Sequence, residues 1–317
     1  MKFSEEWITD ILNRQYISDY LYRDVEGFSG FNHVMIAVMI YLLLLLIPVE
    51  PTYSIFHGLL ANPIIGVISF FIICGAALLP DMDNLPSDGG SVAVFDLGVI
   101  GSIISTIMVT ISGVITSIFR GKKDVKPNTQ HRFFWHTLFV PIVMFVLIFF
   151  LMPDDSTPIS SVMTNISLTN FPTHAVLGLV GIAICVYIGS HLLFKKLNNF
   201  LPVNLRPTAL SLALTILSLF VCVTMSTNHE LKVYCMCIAL GYFFHLFGDL
   251  FADGGIPALF PISGLFGKFF MRIKLVPVTI TTGGTIESML KIVFVVIDLI
   301  LAVMVFFPGL VTNFNFI

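Results

Sequence analysis

The sequence predicts an all-α polytopic membrane protein, on the strength of its composition and of its long apolar runs. Of its 317 residues, 56% are hydrophobic and 11% are charged, whereas about 25% charged residues is usual in a soluble domain. The mean hydropathy is +0.96. The apolar runs are continuous rather than alternating, which is typical of membrane helices and not of a membrane β-barrel. The net charge of −3 does not indicate a nucleic-acid partner.

The N-terminal residues mix charged side chains with Trp7, Ile11, Leu12 and further apolar residues. This spacing is typical of an amphipathic helix that lies on a membrane surface. The same stretch lacks the pattern of a cleavable signal peptide. We therefore predict an interfacial segment at residues 1–30 and a single transmembrane domain at residues 31–317.

Seven later runs have the length and composition of membrane crossings. They lie at about residues 31–48, 58–80, 135–152, 173–194, 209–227, 231–253 and 286–307. An eighth run, at 92–119, is also apolar, but it contains Asp96, three glycines and many Ser and Thr residues. Its composition alone leaves open whether it crosses.

Loop charge predicts how the run at 92–119 meets the membrane, because Lys and Arg collect in cytoplasmic loops. If the run enters and leaves on one face, 15 of the 16 Lys and Arg residues fall on that face, and only Lys232 is opposite. If the run crosses once, the basic residues divide between the two faces. We therefore predict about seven transmembrane helices, a re-entrant or hairpin element near 92–119 and a cytoplasmic N-terminus. A single crossing is the alternative.

The same alternation draws histidines and carboxylates to the basic face. They are His33, Asp81, Asp83, His131, His136, His245, Asp249 and Glu287. Ionisable groups in or beside apolar spans are costly and by default mark functional sites. Their convergence at one membrane depth predicts a site there.

Spacing within two of the motifs suits metal ligation. His245 and Asp249 are four residues apart on a predicted helix, so they share one helix face. Asp81 and Asp83 follow Pro80, which ends the preceding helix. The turn or extended backbone after that proline can direct both carboxylates into one pocket.

The third motif adds His131 and His136, which converge if His131 lies in the loop and His136 in the first helical turn. A mixed set of imidazole and carboxylate ligands suits Zn, Mn or Fe(II) better than Mg or Ca. The number of candidate ligands leaves room for one or two divalent ions, with zinc favoured. Arg132 is suited to binding an anionic group such as phosphate.

Four stretches resemble, in order, the motifs of the YdjM-like family of LexA-regulated, membrane-bound, metal-dependent hydrolases. They are NHVMIA, LLPDMDN, HRFFWHT and GYFFHLFGDLFADGGIPALFP. The family motifs are a Gly-His in the first span, LLPDxDH, HRGxTHS and GYxxHxxxDxxTxxGxxxxxP. The later stretch IKLVPVTITTGGTIESML resembles the closing element of the family, with Glu287 as its acid. The sequence departs from the family at Asn84, Phe133, Trp135 and Thr137, where the family has His, Gly, Thr and Ser.

The resemblance implies a metal-dependent hydrolase of the bacterial inner (cytoplasmic) membrane. The expected metal ligands are His33, Asp81, Asp83, His131, His136, His245 and Asp249. Asp83 or Glu287 is the expected general base, and Arg132 is an expected substrate contact. A site at headgroup depth favours a lipid or lipid-linked ester or phosphoester as substrate. The alternatives are a metal-ion or proton-coupled transporter and a non-catalytic, metal-stabilised membrane scaffold, and the oligomeric state is left open.

Overall fold

The fold is described from a computed structural model, in which part of the chain is defined. The described residues are 30–46, 63–83, 106–108, 110–112, 114, 115, 118, 119, 134–164, 172–198, 206–251, 255–263, 273 and 285–306. Apart from Gly30, the predicted interfacial segment at 1–30 lies outside them. Residues 92–105 of the eighth apolar run also lie outside them.

The described residues form helices joined by turns, and no strand longer than an isolated bridge occurs among them. The helices are α1 (Gly30–Leu46), α2 (Pro63–Ala76), α3 (Phe139–Leu151), α4 (Ile159–Thr164), α5 (Thr173–Asn198), α6 (Pro207–Met225), α7 (Asn228–Asp249) and α8 (Thr285–Phe306). Two 3-10 turns, Pro80–Asp83 and Phe134–His136, follow α2 and precede α3. The predicted all-α class is confirmed for this part of the chain.

Four of these helices, α5 to α8, are long and apolar enough to cross a membrane. Three shorter apolar helices, α1, α2 and α3, lie where the sequence predicts the first three spans. The length and composition of these four helices therefore fit a helical membrane protein. Crossing by the three shorter helices stays a prediction.

Helix α7 lies at the centre of the bundle and packs against α1, α2, α3 and α5. Its start is fixed by a capping box, in which the Thr227 side chain accepts from the Glu230 amide and the Glu230 carboxylate accepts from the Thr227 amide. Small residues allow close packing. A Cβ atom on Gly241 would lie 2.8 Å from the Cβ atom of Ala76, and one on Gly75 would overlap the Cys185 carbonyl oxygen of α5.

Contacts along the helices fix their relative directions. On α7, Gly241 faces Ile73 and His245 faces Ala77, so α2 and α7 run the same way. Helix α5 runs that way too, because Gly178 and Gly181 face successive turns of α7. Helices α1 and α3 begin where α7 ends and run in the opposite direction. We call the end of the bundle where α7 finishes the ligand end.

The chain leaves α2 and enters α3 at the same end of the bundle. Asp81, after α2, and His136, before α3, lie 3.4 Å apart at their closest side-chain atoms. The Trp135 indole nitrogen donates a 2.8 Å hydrogen bond to the Met108 carbonyl oxygen, and the described residues between 106 and 119 are helical. A re-entrant or hairpin element requires adjacent ends of this kind, and its path through the undescribed residues stays a prediction.

Candidate metal centre

Five of the predicted ligands come together at the ligand end. They are His33 from α1, Asp81 from the turn after α2, His136 from the turn before α3, and His245 and Asp249 from α7. Four of the five are fully buried, and Asp81 is 8% exposed. Groups that are far apart in sequence therefore share one buried pocket, as the loop-charge argument predicted.

The two 3-10 turns carry Asp81 and His136 into the pocket, because α2 ends and α3 begins outside it. Helix α2 ends at Ala76, and Pro80, whose ring lacks an N–H donor, begins the 3-10 turn that carries Asp81. The turn that carries His136 is tied to α7, since the Tyr242 hydroxyl donates to the Trp135 carbonyl oxygen. His136 thus lies in a turn before α3, whereas the sequence argument placed it in the first turn of the helix.

His245 is oriented by a backbone contact outside the ligand set. Its Nδ1 atom lies 2.7 Å from the Ala77 carbonyl oxygen, which can only accept, so Nδ1 carries the proton. The Nε2 lone pair therefore points toward the carboxylates. Metal-binding histidines are commonly held in this way, because the outer hydrogen bond fixes both the tautomer and the ring orientation. The bend after α2 exposes the Ala77 carbonyl for this bond.

Four candidate ligand atoms lie close together at the ligand end. They are the Nε2 atoms of His136 and His245, Oδ1 of Asp81 and Oδ2 of Asp249. The two nitrogens are 3.3 Å apart, and the four nitrogen–oxygen separations among these atoms are 3.2 to 3.5 Å. A regular tetrahedron with ligands about 2.0–2.1 Å from zinc has edges of about 3.3–3.4 Å. The atoms of His136, His245 and Asp249 form one grouping, and their separations of 3.2 to 3.4 Å match this edge length, so they fit three ligands of a tetrahedral zinc ion.

His33 extends the pocket on its α1 side. Its ring stacks on His245, with centroids 3.8 Å apart, and its Nε2 atom lies 3.5 Å from Oδ1 of Asp249. Asp249 thus presents one oxygen to His33 and the other to His136 and His245. His33, Asp81 and His245 form a second grouping of metal-ligand spacing. Both groupings use the one outward nitrogen of His245, so these residues alone hold one ion rather than two.

Glu287 joins the site through a residue that sequence reasoning missed. Its Oε1 atom accepts a 2.7 Å hydrogen bond from the Asn32 side-chain amide, and both side chains are buried. Asn32 precedes His33 on α1, so this bond ties the start of α8 to the start of α1. The sequence signal for Asn32 was a side-chain amide next to the candidate ligand His33, at the start of an apolar run.

Three predicted site residues cannot be located in the same way. His131 and Arg132 lie outside the described residues. The backbone of Asp83 closes the turn after α2, while its side chain lies outside the description. Their predicted roles as ligands, base or anion contact stay predictions.

Comparison of the chain with protein-family models, with curated proteins and with solved structures finds no match.

Proposed function

We propose that this chain is a membrane-embedded, metal-dependent hydrolase of the kind suggested by the YdjM-like motifs. The observation that carries the proposal is a buried grouping of two imidazole nitrogens and one carboxylate oxygen, from His136, His245 and Asp249, with the spacing of three zinc ligands. No cysteine sulfur belongs to either metal-ligand grouping among the described residues. Three such ligands leave the fourth position of a tetrahedral zinc ion open, as in catalytic sites, whereas structural zinc sites are closed and commonly rich in cysteine.

His136, His245 and Asp249 are the proposed ligands, and Asp81 and His33 either join them or orient them. When bound, a zinc ion supplies Lewis acidity and makes water chemistry possible near neutral pH. Glu287 is the proposed proton acceptor, held in place by the 2.7 Å bond from Asn32. Three further residues keep the roles predicted from the sequence. Asp83 is the base or a ligand, His131 is a ligand, and Arg132 is a substrate contact.

The proposed substrate is a lipid or lipid-linked ester or phosphoester. The site lies at one end of a bundle of apolar helices. At that level a lipid headgroup can reach the site residues. Two cations lie nearby: the Nζ atoms of Lys196 and Lys291 are 5.6 and 5.9 Å from the ring centroid of Phe31, which is two residues before His33. Lysines at this boundary favour an anionic group on the substrate.

The proposed setting is the bacterial inner membrane, with the N-terminus and the ligand end on the cytoplasmic side. The concentration of Lys and Arg on one predicted face supports this orientation. A reporter enzyme that is active only in the periplasm, fused after residue 317 or inserted at residue 155, would test it. We expect periplasmic activity from both fusions, because both positions fall on the face opposite the N-terminus.

A lipid-hydrolysis assay tests the proposed activity. Purified protein with zinc should release product from an extract of bacterial membrane lipids, and His245→Ala and Asp249→Ala should each abolish release. His229→Ala is the matched control, because His229 lies at the opposite end of α7 and pairs with Asp154 at 2.6 Å. Zinc binding without hydrolysis of any fraction of the extract would contradict the proposed activity.

One observation favours transport as the second candidate. Asp298 lies near the middle of α8, is only 7% exposed and has no hydrogen-bond partner among the described residues. Isolated carboxylates inside membrane helices often belong to ion or proton pathways. Uptake of zinc or protons into proteoliposomes, lost in Asp298→Asn, would favour this function. Hydrolysis that is retained in Asp298→Asn would favour the enzyme.

A further inference from the structure

A groove with apolar walls lies between α3, α5 and α7, and it runs from the end of the bundle opposite the metal centre as far as Leu79 in the turn after α2. Its volume is about 400 Å³. Helix α3 and its end contribute Met144, Ile148 and Met152, and the floor is formed by Gly181 of α5 and by Cys235 and Ile238 of α7. The groove extends along α5 from His174 to Cys185, a rise of about 16 Å for a regular helix.

The floor is recessed because the facing residues are small. A Cβ atom on Gly178 would lie 3.2 Å from the Cys235 sulfur, and one on Gly181 would lie 3.0 Å from Cδ1 of Ile238. The α5 backbone therefore lies close to α7, and no side chain from these two positions fills the space. The rim residues Leu147, Leu151 and Leu177 are at least half exposed, as expected for side chains that face lipid.

The dimensions of the groove select its occupant. A volume of about 400 Å³ over about 16 Å gives a mean cross-section of about 25 Å². A helix with a diameter of about 10 Å needs about 80 Å², so a helix from a second copy could place only side chains in the groove. A single hydrocarbon chain does fit, and the groove length is close to the roughly 15 Å hydrocarbon depth of one leaflet.

The end near His174 provides a polar boundary at headgroup level. Met152 begins the connection between α3 and α4, where Asp154 pairs with His229 at 2.6 Å and with Lys232 at 3.2 Å. Charged pairs of this kind lie at the membrane surface and not in the hydrocarbon. A lipid with its headgroup at this level would extend one tail down the groove toward Cys185.

We propose that the groove between α3, α5 and α7 binds one acyl chain of a phospholipid from the leaflet opposite the metal centre. This site is separate from the proposed hydrolytic site. Its occupant is a bound lipid, and the proposal requires no hydrolysis.

Photolabelling in nanodiscs tests the proposal. The probe is phosphatidylcholine with a diazirine at a shallow, middle or deep position of one chain, and labelled residues are located by mass spectrometry. We expect the deeper probes to label Cys185 and Ile238, and the shallow probe to label Met152 and His174. Labelling of Ile238 requires a chain inside the groove, because Ile238 is 6% exposed and lies at the groove floor.

Variants provide a matched comparison. Gly181→Leu fills the floor and should reduce labelling of Ile238 at least fivefold, whereas Ala183→Leu, two residues along α5, should leave it unchanged. Glu287→Gln, which removes the proposed proton acceptor but no proposed metal ligand, should label like the wild type, which separates this site from the proposed activity. Labelling confined to exposed residues such as Phe150, or cross-linking between copies through Leu177→Cys in place of lipid labelling, would overturn the proposal. If Gly181→Leu does not fold, labelling of the wild-type protein by the shallow, middle and deep probes still tests whether a chain occupies the groove.

Discussion

Asp249 presents its two carboxylate oxygens to different histidines. Oδ1 lies 3.5 Å from His33, and Oδ2 lies 3.2 Å from His245 and 3.4 Å from His136. Without a cation, burying two carboxylates beside three imidazoles would be costly unless they are protonated or hydrogen-bonded. A divalent ion offsets this cost, and for that reason we expect metal binding and folding to be coupled at this site.

Gly248→Ala tests whether His33 belongs to the centre. A Cβ atom at this position would lie 3.0 Å from Nδ1 of His33, so the ring must move. We expect zinc affinity to fall about tenfold or more, by titration against a competing chelator. Alanine is the better helix former by about 1 kcal/mol, so loss of helix propensity cannot account for the effect. Gly181→Ala is the control, because a Cβ atom there would also lie 3.0 Å from a side chain, but away from the ligands. Equal zinc affinities in the two variants would exclude His33 from the metal centre.

Asn32→Ala tests the role of Glu287. Loss of the 2.7 Å bond frees the carboxylate from its fixed orientation. We expect kcat to fall about 10- to 100-fold, while KM and zinc content stay near wild-type values. A large loss of zinc in Asn32→Ala would instead show that the Asn32–Glu287 pair supports the ligands and not the reaction.

At the scale of the elements, α7 supplies two of the five gathered residues. Its i, i+4 pair, His245 and Asp249, could be predicted because helix periodicity alone brings the two side chains onto one face. The 3-10 turns were not predictable in detail, because Pro80 shows where α2 must stop but not which way the following carbonyls point. The bond from His245 to Ala77 depends on that direction. The short helix α4 was also missed, since six residues are too few for a hydropathy signal.

The connection between α3 and α4 should make stability depend on pH. The His229 hydrogen bond is the main cause that holds the pKa of Asp154 below its usual value, and Lys232 adds to it. A carboxyl with a lowered folded-state pKa stabilises the protein above its unfolded pKa of about 3.9 and loses this effect as pH falls through the folded value. Because Asp154 is largely exposed, the effect should stay within about 1 kcal/mol.

Thermal unfolding at pH 7 and pH 3 checks this effect. Asp154→Asn should lower Tm at pH 7 and have little effect at pH 3, where the wild-type carboxyl is itself becoming protonated. Ser156→Asn in the same connection is the control. An equal loss of Tm at both pH values would assign the role of Asp154 to its shape and not its charge.

At the scale of the whole molecule, loop charge predicted which residues meet. His33, Asp81, His136 and Asp249 come from four separate elements, and counting Lys and Arg over the loops was enough to bring them to one end. Charge counting does not resolve lateral packing. The recess between α3 and α5 and the bond between Asn32 and Glu287 depend on which helix faces contact each other, and nearly uniform hydropathy around the helices conceals those faces.

The central claim is that buried imidazoles and carboxylates hold a divalent metal with no sulfur ligand. X-ray absorption spectroscopy at the zinc edge of the purified, zinc-loaded protein tests it most directly. We expect a shell of about four nitrogen and oxygen atoms at about 2.0–2.1 Å, with imidazole scattering that weakens in His136→Ala and His245→Ala. A protein that retains no metal after purification with zinc, or a shell with sulfur at about 2.3 Å, would contradict the account.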